Sequence, residues 1–380
     1  MTWEDDDACE MTPLRRTRAE FGWKVPRLIA TLRQCAAQVG MKLGSDKSLK
    51  TTISRHENGR VIPGEDWRKL YRLAYGRTDE ELGFLDTAPT ASSPADDLRH
   101  RIATARRVDM ELIRQMQQQV HHIRLLDRRL GAPSLLEQTR TVITTLTELV
   151  TYSLRPSVRA ALSAVLSDAG ALAAWQALDV GAVRQAWGHY EIAKTAAREA
   201  DSPVLLAHAM GEQVYTLHDL GRLTDALSLV RAARTLASRT GPRLLLSWLD
   251  AVEAETQAAL ADEQCRRTLD RSAALLPVDA HDPALPFIAL DEVHHARWRG
   301  HCLAQLGDTD AIDYLTDALG QMDTTFVRAA AGLRCDLAQA FATRGELDEA
   351  RKHLISARLL ANQVGSVRQR RRIASIGLAA

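Results

Sequence analysis

A glycine followed by alanine five and twelve residues later recurs through the second half of the chain, and this pattern limits what the chain can fold into. Gly181 is followed by Ala186 and Ala193, Gly221 by Ala226 and Ala233, and Gly345 by Ala350 and Ala357, while Gly307 follows the rule one residue short with Ala311 and Ala318. A degenerate copy starts at Ala261, keeping Ala273 at the later position but placing Arg266 at the earlier one, so the starts lie 40, 40, 46 and 38 residues apart. A glycine that ends one helix, with small residues on one face of the next, is what tightly stacked helix pairs need. From Ser134 onward there is almost no strand alternation. The expected fold class is all-α, with residues 134–380 a helical repeat domain. A protruding loop is expected where Pro277, Pro283 and Pro286 lengthen the interval before Gly307.

Charge marks out a second region. The whole chain sets 49 Lys and Arg against 48 Asp and Glu, which excludes a globally basic coat, but residues 11–77 hold 15 against 5. That local excess, bounded by acidic stretches at Glu4–Glu10 and Asp79–Asp86, points to a polyanionic partner for one small module. Residues 1–10 read as an acidic tail and 87–94, rich in Pro, Ser and Thr, as a linker. From Ala95 to Leu130 no proline or glycine occurs, and Leu98, Ile102, Ala105, Leu112, Met116, Ile123, Leu126 and Leu130 share a 3-4 spacing completed by Asp109 and Gln119. This predicts a long linker helix over 95–133, either packed on its own domain or serving as a dimerisation element.

Within residues 11–86 the apolar spacing predicts five short helices. The second carries Pro26 in its first turn, the third runs from about Lys50 to Glu57 and stops at Asn58-Gly59, and Thr78-Asp79-Glu80-Glu81 forms a capping box opening the fifth. The run Ser48-Leu49-Lys50-Thr51-Thr52-Ile53-Ser54-Arg55-His56-Glu57-Asn58-Gly59-Arg60, followed by Trp67-Arg68-Lys69-Leu70-Tyr71, resembles the XRE, lambda-repressor-like, helix-turn-helix regulators, most closely the actinobacterial type that joins such a module to tetratricopeptide-like repeats. The resemblance implies double-stranded DNA as partner, with Lys50, Thr51, Thr52 and Arg55 at the major groove, Ile53 in the core, and Asn58 and Arg60 near phosphate. Two departures stand out: His56 replaces a frequent Trp, and Lys24-Val25-Pro26 replaces a Ser-Gln pair whose glutamine would contact phosphate. The segment from Gln38 to Asp46 is also longer than usual.

The repeat region resembles tetratricopeptide repeats most clearly at Leu337, Ala338, Phe341, Gly345, Leu347, Ala350, Leu354 and Ala357. That register implies a concave side carrying His208, Tyr215, His218, Asp219, Trp248, Glu255, His294, Arg297, His301, Cys335 and Gln339. As a set these residues suit a groove for a signalling peptide, a small molecule or a protein, although each side chain taken singly reads more simply as part of a hydrated helix face. No metal site is expected: His294 and His301 lie two turns apart, and there is no H-E-x-x-H. Nor is there a phosphate-binding loop, nucleophile elbow or other catalytic motif, so neither a cofactor nor an enzyme is expected. The five cysteines are odd in number and contain no C-x-x-C. The acidic start and the interrupted apolar stretch from Ala160 to Leu178 argue against export and membrane spanning.

The expectation is thus a cytoplasmic, homodimeric DNA-binding regulator controlled through its repeats. The alternative is an interaction scaffold whose helix-turn-helix module docks a regulator instead of DNA.

Overall fold

Prolines and capping side chains set many of the helix starts in the computed structural model, which describes residues 11–84, 93–239, 241–279 and 282–376 and has only helices as regular elements among them. The expected acidic tail, residues 85 and 86 of the first module, and linker positions 87–92 lie outside the described residues. Two units are distinguished, Met1–Leu98 and Arg99–Ala380.

In the first unit, α1 (Pro13–Glu20), α2 (Val25–Gln38), α3 (Asp46–Glu57) and α4 (Glu65–Tyr75) surround a core that includes Leu14, Leu28, Leu32, Leu49, Ile53 and Tyr71. Ser45 caps α3 through the Ser48 amide, and Gly76, left-handed at φ 61°, ends α4. The capping box at Thr78 forms, with Thr78 N–H donating to Glu81 Oε2 at 2.8 Å and Glu81 N–H to Thr78 Oγ1 at 3.3 Å. It opens one hydrogen-bonded turn, which then buries Leu82 and Phe84.

The long linker helix is interrupted. Helix α5 (Pro94–Arg106) crosses the boundary between the units, and α6 (Met110–Leu130) restarts after Asp109, which turns extended and accepts the Leu112 amide at 2.8 Å. An aspartate in that position gains a helix N-cap, so no glycine or proline is needed to break the run. Helix α6 buries Ile113, Val120 and Ile123 and packs on α8 (Pro156–Asp179), while Leu98 and Leu130 of the expected seam are exposed.

Helix pairs follow as the repeat pattern requires: α6 with α7 (Leu136–Tyr152), α8 with α9 (Val183–Glu199), α10 (Pro203–Asp219) with α11 (Leu223–Ala237), α12 (Arg243–Ala259) with α13 (Gln264–Leu275), α14 (Glu292–Gln305) with α15 (Ala311–Gln321), α16 (Val327–Arg344) with α17 (Leu347–Gln363), and finally α18 (Val367–Ser375). The first helices from α8 to α16 stack on one another in order. Gly181, Gly221, Gly307 and Gly345 each take positive φ at the end of a first helix, the conformation glycine adopts without a steric cost, and Ala261 occupies the equivalent place at φ 56°. The paired alanines are buried, except in the degenerate copy. There Ala273 is exposed and the packed small residues are Cys265 and Ser272, so this copy runs one residue short, like that of Gly307. Helix α8 is long and apolar enough to cross a bilayer, but most of it is buried inside the repeat domain.

The stack then turns back on itself. Arg328 of α16 donates to Asp127 of α6 at 3.0 Å and to Asp179 of α8 at 2.8 Å, Ser366 donates to Asp179 at 2.5 Å, and Arg368 of α18 pairs with Asp219 at 3.0 Å. Gly131, at φ 81°, sits so close to Val364 that a Cβ there would fall 1.9 Å from its carbonyl oxygen. The loop expected to protrude between α13 and α14 does so only in part: Val278 is fully exposed, but Leu285, Ile288 and Leu290 fold into the core because their apolar side chains have a wall to cover.

Candidate functional site

Two surfaces are candidates for a functional role, and the first is the exposed side of α3. Leu49 and Ile53 are buried and fix the helix, which leaves Lys50, Thr51 and Arg55 exposed and Thr52 half-buried. Among the described residues Lys50 and Arg55 make no ion pair, so their charges face outward. Both threonine hydroxyls bond back to their own helix, Thr51 to the Lys47 carbonyl and Thr52 to the Ser48 carbonyl, each at 3.1 Å. Asn58 is exposed, but its amide donates to the Ser54 carbonyl at 2.8 Å and so caps the helix; Arg60 is exposed beyond it. Arg15, unnoticed in the sequence, shares a shallow depression with Lys50 and Asn58.

The residue at the atypical position, His56, is buried. Its Nδ1 lies 3.1 Å from the Tyr71 hydroxyl, its ring meets Trp67 edge-on, and burial lowers its pKa. An imidazole thus fills a space suited to an aromatic ring and keeps a polar partner. Beside it Glu57, also buried, receives two hydrogen bonds from Arg18, at 2.6 and 2.9 Å, tying α3 to α1.

The second surface is a partly open cavity of about 270 Å³ formed by the curled repeats. It draws together many of the residues expected on the concave side: His208 and Tyr215 from α10, Trp248 and Glu255 from α12, and His294, Arg297 and His301 from α14. The others lie off its wall. His218 is hydrogen-bonded to Thr256 at 2.9 Å, Asp219 is paired with Arg368, Cys335 is fully buried in packing, and Gln339 donates to the Ala304 carbonyl at 3.2 Å. Wall residues with no sequence signal come from the elements that close the stack, chiefly Arg124 and Arg128 of α6, Arg328 of α16, Arg372 of α18, and Phe287 of the long loop.

Glu255 is the polar hub of the wall. Tyr215 donates to it at 3.1 Å and Trp298 at 2.8 Å, and His301 Nε2 lies 3.4 Å away. Burial works against its charge, but these partners, His301 foremost, hold it well below the usual carboxylate range. Burial likewise opposes a charge on His301, yet Asp336 and Glu255 hold its pKa up to about 9. Elsewhere burial wins, pushing His208 down to about 3 and Glu212 up to about 7.

The wall's guanidiniums divide into two sets. Arg328, Arg368 and Arg372 are paired with Asp127 and Asp179, Asp219, and Asp336. Arg297 and Arg128 instead lie over aromatic faces, Arg297 at 4.4 Å from the Trp298 ring centre and Arg128 at 4.5 Å from that of Phe326; neither is in an ion pair among the described residues, although Asp323 and Asp127 lie near enough to attract the charge of Arg128. Arg297 Nε and Arg124 Nη1 are buried without a hydrogen-bond acceptor among the described residues, although Arg124 is also paired with Asp168 through Nη2. His294 binds Asp291 through Nδ1 at 2.8 Å and His301 binds Asp336, so neither is arranged with the other around an ion.

No protein-family model matches the chain, and no curated protein is significantly similar to it. Among solved structures, a Rap protein complexed with competence and sporulation factor matches at 13% identity and a TM-score of 0.44, over 91% of this chain and 99% of that one. BtubC from P. vanneervenii matches at 15% identity and a TM-score of 0.37, over 62% of this chain and 92% of that one. Likeness this distant is silent on what the cavity takes, so its chemistry is read from its own side chains.

Proposed function

We propose that the chain is a sequence-specific DNA-binding transcriptional regulator of the XRE type, cytoplasmic and non-catalytic, whose repeat domain receives a signal. The observation that supports this best is the division of α3: Leu49 and Ile53 anchor it, and Lys50 and Arg55 project outward with no ion-pair partner among the described residues. Guanidinium and ammonium groups presented in this way can donate to guanine O6 and N7. The departure at His56 does not count against the reading, because that side chain is absorbed into packing with Trp67 and Tyr71. In a homodimer two such helices about 34 Å apart would enter successive major grooves, and a signal that alters their spacing would switch binding.

A docking scaffold is the second reading, and Asn58 favours it, since its amide is spent on capping α3 and is not presented to phosphate. Selection of the full-length protein from a random duplex library at one fixed salt concentration separates the two. A two-fold symmetric motif is expected, with affinity falling steeply as salt rises. Lys50→Ala and Arg55→Ala should lose the motif with the fold intact by circular dichroism; recovery of no motif removes the regulator reading in favour of the scaffold.

A further inference from the structure

We propose that the cavity of the repeat domain is a receptor site for a small organic anion, a carboxylate or phosphate carried on an apolar body, with the acid group held between Arg128 and Arg297. This deepens the signal-receiving part of the proposed function and rests on that reading only for its regulatory meaning.

The selection of charge comes from which cations already have partners. Arg328, Arg368 and Arg372 have their charges met by aspartates that also hold the stack closed, so a ligand gains little from them. Arg128 and Arg297 are held over aromatic rings that orient each guanidinium without neutralising it. Arg297 Nε and Arg124 Nη1 add buried donors that no acceptor among the described residues satisfies, and a buried donor is costly to leave unpaired. An anion meets both needs, because charge-assisted hydrogen bonds to guanidinium are among the strongest available. Most acidic groups of the wall are already engaged, Glu255 by Tyr215, Trp298 and His301, Asp127 by Arg328 and Asp168 by Arg124, while burial pushes Glu212 up to about 7 and so toward its neutral form.

The rest of the wall selects the body. Trp248 and Phe287 both pack against the His208 ring, whose centre is 5.3 Å from that of Trp248 and 4.1 Å from that of Phe287. Burial keeps this histidine neutral, and although Glu212, pushed up to about 7 by burial, lies 3.8 Å from its Nε2, the rings of this end suit an aromatic or aliphatic group. Curvature sets the size. The ties from Arg328 and Ser366 narrow what would be a wider groove in an uncurled solenoid to a partly open cavity of about 270 Å³.

The test titrates the full-length protein with 3-phenylpropionate and phenyl phosphate, with 3-phenylpropionamide and 3-phenylpropylamine as the neutral and cationic counterparts, and with Gly-Gly-Phe as free acid and as amide. Tryptophan fluorescence and calorimetry report binding. At least one acid is expected to bind roughly tenfold or more tighter than its amide, with the amine weaker still. Arg297→Gln and Arg128→Gln should each abolish most of that preference while circular dichroism and Tm show the fold retained. Tighter binding of the Gly-Gly-Phe acid than of 3-phenylpropionate, lost in its amide, supports the site and assigns the anion to a peptide carboxylate; preference for the two small acids assigns it to a metabolite. Equal binding of acid and amide, preference for the amine, or no saturable binding of any acid up to about 10 mM overturns the proposal. If either variant fails to fold, the acid-to-amide ratio in the wild-type protein decides alone. A protein that binds acid but selects no DNA motif keeps this inference and loses the regulator reading, and the converse result separates them equally well.

Discussion

His301 lies between two carboxylates, with Nδ1 2.7 Å from Asp336 and Nε2 3.4 Å from Glu255. Burial disfavours its charge, but the two acids hold its pKa up to about 9, while the unfolded chain gives up the same proton near 6.5. The stabilisation is therefore complete below pH 6.5 and is lost as pH rises through about 9, a change on the order of 3 kcal/mol. His301→Gln should be clearly less stable than the wild type near pH 6, with the gap closing toward about pH 9.5, as read from urea midpoints. Glu212, which titrates near 7, is present in both proteins and drops out of the difference. A gap that stays constant with pH would show that the imidazole carries no charge. The sequence register put His301 on the inner side, but Asp336 was not recognisable as its partner, because it lies 35 residues away on the next first helix. His56 shows the reverse limit: the sequence marks it only as a departure from a familiar motif, whereas a ring contact with Trp67 makes it part of the core.

The repeated turn is legible as an element because its requirement is local: a residue that takes left-handed backbone, then small residues at helical spacing. Four copies meet it with glycine, and the fifth forces Ala261 to φ 56°. An L residue pays roughly 1 kcal/mol for that conformation. Ala261→Gly should raise stability by about that amount, and Gly221→Ala, where a Cβ would meet nothing within 4 Å, should lower it similarly. Parallel thermal unfolding of the two variants checks this, and a destabilising Ala261→Gly would refute the account. The packing register of the Ala261 copy was less legible, because Cys265 and Ser272 fill places held elsewhere by alanine and are small without matching the pattern. The break between α5 and α6 was hidden for a related reason. Asp109 looked like a polar position in a continuous seam, yet its carboxylate caps the Leu112 amide. Asp109→Ala should cost about 1 kcal/mol, measurable as a lower denaturation midpoint.

At the scale of the whole molecule, closure of the repeat domain is what the sequence could not disclose, since the residues that tie it lie far apart along the chain. Arg328 meets Asp127 across 201 positions, Ser366 meets Asp179 across 187, and Arg368 meets Asp219 across 149. No periodic pattern encodes such pairs, because each repeat specifies only its neighbour and the accumulated curvature brings the ends together. The inner side was accordingly readable helix by helix, while the groove's becoming a cavity was not. Arg328 is largely withdrawn from solvent and meets two buried aspartates, so removing it leaves Asp127 and Asp179 without their main cationic partner. Breaking a buried ion pair on one side typically costs about 3–5 kcal/mol. Arg328→Ala should therefore lower the unfolding free energy of the repeat domain by about that amount, with small-angle scattering reporting a larger radius of gyration as α16 and α18 part from α6 and α8. The same variant should weaken acid binding at Arg128 and Arg297 even though both side chains remain, because the enclosure that makes their donors costly to leave unpaired is lost. An Arg328→Ala protein with unchanged dimensions and unchanged affinity would mean that stacking of the repeats alone sets the curvature, and that the ion pairs merely decorate an end-to-end contact fixed by packing at Gly131 and Val364.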